Sequence, residues 1–181
     1  MPSFASRPGN SLYLVVCAAP PARTTTSAVI EAAQGAGWDV SVVATPTAAL
    51  WLPSGLAELT GHPVRSETRR PDEPRYEPLA NVVLVAPATF HTINCWAAGL
   101  NDTLALGVLN EALGRSVPVA VYPWVNEALR AHPVFAGNVA SLEHAGVYFA
   151  AVDLANPLSG APLAAAAVEA LGRVTSPSPG G

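Results

Sequence analysis

The sequence predicts an α/β domain built on a parallel sheet with helices on both faces. Three observations carry that prediction. Short apolar runs alternate with helical stretches, the apolar runs are continuous, and half of the residues are hydrophobic while 12% are charged. A strand covered on one face alternates apolar with polar residues, whereas one covered on both faces reads as an unbroken apolar run. The 181 residues suffice for one domain with a sizeable core.

The elements follow in order. SLYLVVCAA (11–19) reads as a buried strand, and TTTSAVIEAAQGAG (24–37) as a helix with Thr24 or Thr25 as N-cap and Gly37 as terminator. WDVSVVAT (38–45) is a second strand. PTAALWLP (46–53) begins a short helix with Pro46 at its first position, and GLAELTG (55–61) is another short helical piece. An arginine-rich loop (62–78) carries Arg65, Arg69, Arg70 and Arg75, which read as a solvated loop or as contacts for an anionic substrate or a neighbouring subunit. NVVLVA (81–86) is the third strand, and residues 93–113 form one helix, or two broken near Gly99. VPVAVYP (117–123) is the fourth strand, residues 125–131 and 137–146 are helical, VYFAAV (147–152) is the last strand and 161–173 the last helix. Residues 1–10 and 174–181 read as flexible ends around a single domain, 11–173.

Composition removes several function classes. The net charge of -4 offers no basic footprint for nucleic acid, and all nine cationic residues are arginine. Cys17 and Cys95 make neither a disulfide framework nor a metal site, so no metal is expected. The N-terminus lacks a signal-peptide pattern, and no run of about 18 apolar residues marks a membrane span. The expectation is a soluble, cytoplasmic protein.

In an open parallel sheet, ligands bind outside the carboxyl ends of the strands. Here those ends fall near Ala18, Thr45, Pro87 and Pro123. The first loop, CAAPPARTTTS, offers helix-end N–H groups, four consecutive hydroxyls and Arg23. It reads as a phosphate cradle or as ordinary N-capping by Thr24 or Thr25. It has no glycine, so it is neither a dinucleotide fingerprint nor a P-loop. Thr45 reads as a second phosphate contact or a simple cap. APATFHTIN (86–94) is more specific. Pro87 is expected to free the chain from the sheet and Ala88 to allow close approach. Thr89 and Thr92 supply hydroxyls, and Phe90 and His91 planar groups. Such a turn can meet the edge of a flat heterocycle with its backbone N–H groups. Cys95, where a helix opens, reads as a thiol activated by the helix dipole or as a small buried hydrophobe. Trp38, Trp51 and Trp96 read as core or subunit-contact residues, or one of them as a ring stacked on a flat ligand.

VVLVAPATFHTINCWAAGLNDTLA resembles the flavoprotein family of homo-oligomeric flavin-containing cysteine decarboxylases. That family carries a Pro-Ala-Ser-Ala-Asn-Thr turn, and Pro87, Ala88, Thr89, Phe90, His91 and Thr92 fall on it. Its Gly-Ile-Ala-Asp-Asn-Leu pattern is met by residues 99–104. PWVNEALRAHP (123–133) is similar to the family's Pro-X-Met-Asn-X-X-Met-Trp motif. Pro123 and Asn126 match, Val125 and Leu129 replace the methionines, and Arg130 replaces the tryptophan. The resemblance covers roughly residues 12 to 150.

It implies a flavodoxin-like, Rossmann-like three-layer fold that binds FMN at a subunit interface in a trimer or dodecamer. The phosphate would lie in the first loop, on Ala18, Ala19, Arg23 and Thr24, and near Thr45. The ring would meet Pro87, Ala88, Thr89, Phe90 and Thr92, and Asn126 would hold the substrate carboxylate. Four departures stand out. Ala18 and Ala19 replace the usual Gly-Ser, and two prolines follow. RRPDEPRYEPLAN (69–81) contains no histidine where the family places its catalytic one; Tyr76 and Glu77 lie nearest. His91 stands where the turn has Asn, and is the candidate base, since imidazole titrates near neutral pH. The methionines and tryptophan of the substrate motif are gone. NPLSGAP (156–162) also lacks the cysteine of the members that act on phosphopantothenoylcysteine, which argues against that substrate.

The function expected from the resemblance is an FMN-dependent oxidative decarboxylase or related redox enzyme acting on a cysteine-type or other small carboxylate or peptide substrate. The alternative is an FMN-binding protein without decarboxylase activity: a carrier, sensor or assembly subunit. Prenyl transfer to the flavin, as in a sister family, is disfavoured by the altered first loop.

Overall fold

The computed structural model describes residues 10–72, 80–151 and 161–175. Arg75, Tyr76, Glu77, both chain ends, Val152 and the segment 156–160 lie outside them. The strands are β1 (Ser11–Val16), β2 (Asp39–Ala44), β3 (Val82–Ala88), β4 (Val119–Pro123) and β5 (Tyr148–Phe149). The helices are α1 (Pro20–Gly35), α2 (Pro46–Ala49), α3 (Leu56–Thr60), α4 (Phe90–Ala97), α5 (Leu104–Gly114), α6 (Glu127–Arg130), α7 (Pro133–His144) and α8 (Ala161–Thr175). All strand pairings are parallel, and the sheet order is β2-β1-β3-β4-β5. This is a flavodoxin-like α/β fold.

The continuous apolar strands produce two cores because successive side chains leave a strand on opposite faces. Leu12, Leu14 and Val16 join Leu84, Ala86 and Tyr122 beneath α1 and α8. Tyr13, Val15 and Cys17 join Val83, Val85 and Val121 beneath α4, α5 and α7. Trp96 is buried in the second core, Trp38 packs against the first, and Trp51 is 42% exposed. Among the described residues, no helix is long and apolar enough to cross a membrane.

Several boundaries differ from the sequence reading. β1 ends at Val16, and α1 starts at Pro20, ahead of the threonines, with Ala19 in extended conformation at the N-cap position and no side-chain cap. Proline is tolerated in a first helical turn because the N–H it lacks has no partner there anyway. Thr24 and Thr25 are therefore not caps. The Gly37 terminator holds, at φ 90° just past the helix end. The 93–113 stretch is two helices, with Gly99 at φ 72° and the Thr103 hydroxyl capping α5. His132 caps α7, which begins at Pro133 rather than Gly137. Arg65 is not simply solvated: its backbone bridges to β2 at Val43, and its guanidinium lies 5.2 Å from the Tyr13 ring centroid.

Tyr122 is 1% exposed, and its hydroxyl has no hydrogen-bond partner among the described residues. A buried hydroxyl left unpaired loses its hydration without replacement. Tyr122→Phe should therefore raise unfolding stability by about 1 kcal/mol in urea melts. A loss of stability would show that the hydroxyl is satisfied in solution.

Candidate functional site

Backbone hydrogen bonds tie four strand ends into one edge. The Thr45 N–H donates to the Val16 carbonyl (2.9 Å), the Cys17 N–H to the Pro87 carbonyl (3.1 Å), and the Trp124 N–H to the Ala88 carbonyl (2.7 Å). The chain order reverses between β1 and β3, where neighbouring connections diverge to opposite faces and leave a crevice. Ala18, Thr45, Pro87 and Pro123, the strand ends read from the sequence, all lie at this edge.

The first loop is poorer in donors than its sequence suggests. Pro20 and Pro21 occupy the first two helical positions, so neither has an N–H to offer. The Ala22 N–H donates to the Ala19 carbonyl and the Ala19 N–H to the Cys17 carbonyl. Thr25 and Thr26 are buried, and their hydroxyls donate back to the carbonyls of Pro21 and Ala22, both at 2.6 Å. Thr24 and Arg23 remain exposed. The helix-end amides expected as a phosphate cradle are thus largely missing. The Thr45 hydroxyl accepts from the Ala48 N–H at 3.3 Å as N-cap of α2, which leaves its own hydrogen to donate outward.

The β3–α4 junction is richer. Pro87 does not free the chain from the sheet: it lies inside β3, after a cis peptide bond, and Ala88 still registers against Pro123 of β4. The turn begins at Thr89, whose hydroxyl caps α4 by accepting from the Thr92 N–H at 3.4 Å and lies 3.1 Å from the Thr92 hydroxyl. The N–H groups of Phe90 and His91, in the first turn of α4, have no partner among the described residues. Beneath them the Cys17 thiol is fully buried. Burial pushes its pKa up, and contacts with Thr92 and Thr89 offset this in part. Phe90 does not present its ring to the crevice. It stacks on Phe135 at 5.6 Å and meets the edge of His132 at 5.7 Å, joining α4 to α7.

His91 is exposed at the second position of α4. The Cys95 sulfur lies 3.5 Å from its Nε2 and 3.7 Å from its Nδ1. A sulfur nearly equidistant from both nitrogens would overlap Cε1 in the ring plane, so it stands over the ring face. Both ring nitrogens keep their in-plane directions open. Cys95 sits in the second turn of α4, not at its start, so the dipole does not activate it. Nor is it a fully buried hydrophobe. Partial burial pushes its thiol pKa up, and the Asp102 carboxylate adds to the effect.

At the end of β4, Asn126 caps α6 by accepting from the Leu129 N–H at 2.9 Å. That contact uses Oδ1 and leaves the two Nδ2 hydrogens available. The half-buried Arg130 folds back along the same turn, its Nε donating to the Val125 carbonyl at 3.0 Å. Sequence reasoning registered Arg130 only as a lost tryptophan. A charged residue in an aromatic position was the available signal.

The Flavoprotein family model matches residues 10–175. A curated relative, the coenzyme A biosynthesis bifunctional protein CoaBC of Thermococcus kodakarensis, is 31% identical over 102 residues, covering 54% of this chain and 25% of its own. The chain thus spans about a quarter of that relative's length. The crystal structure of the FMN-dependent cysteine decarboxylase SpaF superposes with a TM-score of 0.67 at 22% identity, covering 90% of this chain and 98% of its own. The FMN-binding protein AtHal3 superposes at 0.69 with 18% identity, covering 93% and 99%. At these identities the superpositions show a shared fold.

The raised Cys95 thiol has a measurable consequence. Iodoacetamide attacks thiolate, so labelling at pH 8 should be slower than for an unstructured cysteine peptide and should climb as pH passes 9. Asp102→Asn should speed it about two- to threefold. Labelling faster than the peptide would overturn the stated electrostatics.

Proposed function

Because the chain belongs to the Flavoprotein family, we propose that it binds FMN at the crevice between β1 and β3 and acts on a cysteine-type or other small carboxylate substrate as an oxidative decarboxylase or related redox enzyme. The naming of SpaF as an FMN-dependent cysteine decarboxylase and of AtHal3 as an FMN-binding protein supports this reading. One observation carries it. The Trp124 N–H donates to the Ala88 carbonyl, so the turn that carries Asn126, with its Nδ2 unused, leaves β4 next to a junction whose Phe90 and His91 N–H groups have no partner among the described residues.

The residues fit the two ends of FMN differently. The open amides of Phe90 and His91 suit the polar edge of a flat ring, with Ala88 leaving room for close approach. The phosphate end relies on side chains, namely Arg23, Thr24 and the Thr45 hydroxyl, because Pro20 and Pro21 offer no amide. Bound FMN supplies the two-electron oxidation that makes loss of carbon dioxide accessible. The chain does the rest. The Asn126 Nδ2 donates to the substrate carboxylate and orients it, and His91 takes a proton in the plane of its ring, which Cys95 leaves open by standing over the ring face. The fold's exposed apolar residues, Leu50 at 84% and Trp51 at 42%, support a homo-oligomer, with a trimer or dodecamer expected from the family resemblance.

A second reading, FMN binding without decarboxylation, is favoured by residues 69–81, where the sequence has no histidine. The two readings separate cleanly. A yellow protein releasing FMN, identified by mass, supports both; a colourless protein that takes up no added FMN removes both. Carbon dioxide loss from peptides ending in cysteine then selects the enzyme.

Asn126→Asp keeps the helix cap and replaces the donor with a charge that repels carboxylate. Melting stability should stay within about 0.5 kcal/mol, while turnover falls about a hundredfold or more. Unchanged turnover would exclude the carboxylate role. His91→Asn should lower turnover about a hundredfold or more while leaving the flavin bound. Unchanged turnover would mean that another group is the base.

A further inference from the structure

Arg130 is a half-buried cation whose charge no carboxylate among the described residues balances. The ion pairs among the described residues are Asp39–His62, Glu111–Arg115 and Glu169–Arg173, so no described carboxylate pairs with Arg130, not even Glu127 on the same turn. Its one side-chain hydrogen bond among the described residues, Nε to the Val125 carbonyl, bends the side chain back toward the start of α6, where Asn126 sits. That bond fixes the guanidinium plane and leaves four N–H donors on Nη1 and Nη2. A planar fork of this kind matches a carboxylate or phosphate oxygen pair. Removing a guanidinium from water without a counter-ion is unfavourable, so an anion from outside the described chain is its natural partner.

The reacting carboxylate is the wrong group for that fork. Charge leaves the carboxylate as carbon dioxide departs, so an ion pair to it would hold the ground state more tightly than the transition state and slow the reaction. The neutral Asn126 amide suits the group that leaves, and a guanidinium suits one that stays. Resting on the carboxylate role proposed for Asn126, we propose that Arg130 is a specificity residue selecting substrates with a second anionic group, retained through the reaction. Asn126 and Arg130 then form a two-point recognition element on a single helical turn. Arg130 is a binding residue and takes no part in proton transfer.

The test uses the flavin-loaded protein and calorimetric titration with three probes: butyrate, succinate of the same chain length, and 3-phosphonopropionate. Wild type should bind succinate or 3-phosphonopropionate at least about tenfold more tightly than butyrate, and the tighter of the two identifies the retained group. Arg130→Gln should bring the three affinities within about twofold of one another. Arg130→Lys keeps the charge but not the fork, and should lose most of the preference; it also serves if the Gln variant does not fold. Equal affinity for all three acids in wild type, no binding of any, or a preference that survives Arg130→Gln overturns the inference. The Asn126 reading fails separately if Asn126→Asp leaves butyrate binding unchanged.

Discussion

Everything at the candidate site hangs on the pairing of β1 with β3 in the middle of the sheet. Those strands run in register from Leu12 opposite Val82 to Val15 opposite Val85, and the Cys17 N–H extends the ladder to Pro87. Because the strands on either side are bonded to this pair, their ends finish level. That brings a β2 cap, a β1 loop, a β3 junction and a β4 turn to one edge of the sheet. Each contributes one or two polar atoms, and none would make a site alone.

The polar atoms at this edge are divided between holding the chain and facing outward. Thr45 and Asn126 each use an oxygen lone pair to cap a helix and retain a hydrogen to donate, while the Thr89 hydroxyl caps α4 and shares a hydrogen bond with the Thr92 hydroxyl. Thr25 and Thr26 use their hydrogens inside α1 and retain nothing that can reach out. Burial separates these groups as well: Thr25 and Thr26 are 1% exposed, whereas Asn126 is open. The edge is therefore most generous with donors on the β3 and β4 side and sparse on the β1 side.

The sheet, its direction and its two cores were legible in the sequence because unbroken apolar strands at regular spacing admit few other arrangements. The β3–α4 junction and Asn126 were legible because each sits in an ordered motif. What escaped the sequence was local and steric. Two prolines before three threonines read as loop punctuation, although proline in a first helical turn is compatible with starting the helix there. Pro87 read as an exit from the sheet because proline rarely continues a strand, yet β3 carries on to Ala88. Phe90 read as a ligand-facing ring, and only the arrival of α7 shows that its stacking partner is Phe135. Arg130 depends on a side-chain path back to a carbonyl that no spacing rule encodes.

The double proline that empties the β1 loop of amide donors also acts before any ligand is present. Starting a helix is unfavourable because several backbone dihedrals must be fixed before the first hydrogen bond repays the ordering. In α1 two of the residues in that first turn have φ already set by their rings. The unfolded chain therefore surrenders less freedom when α1 nucleates than it would with any other residues there. The two prolines that weaken one end of the crevice as a place to hold an anion thereby lower the entropic cost of starting the helix that covers β1.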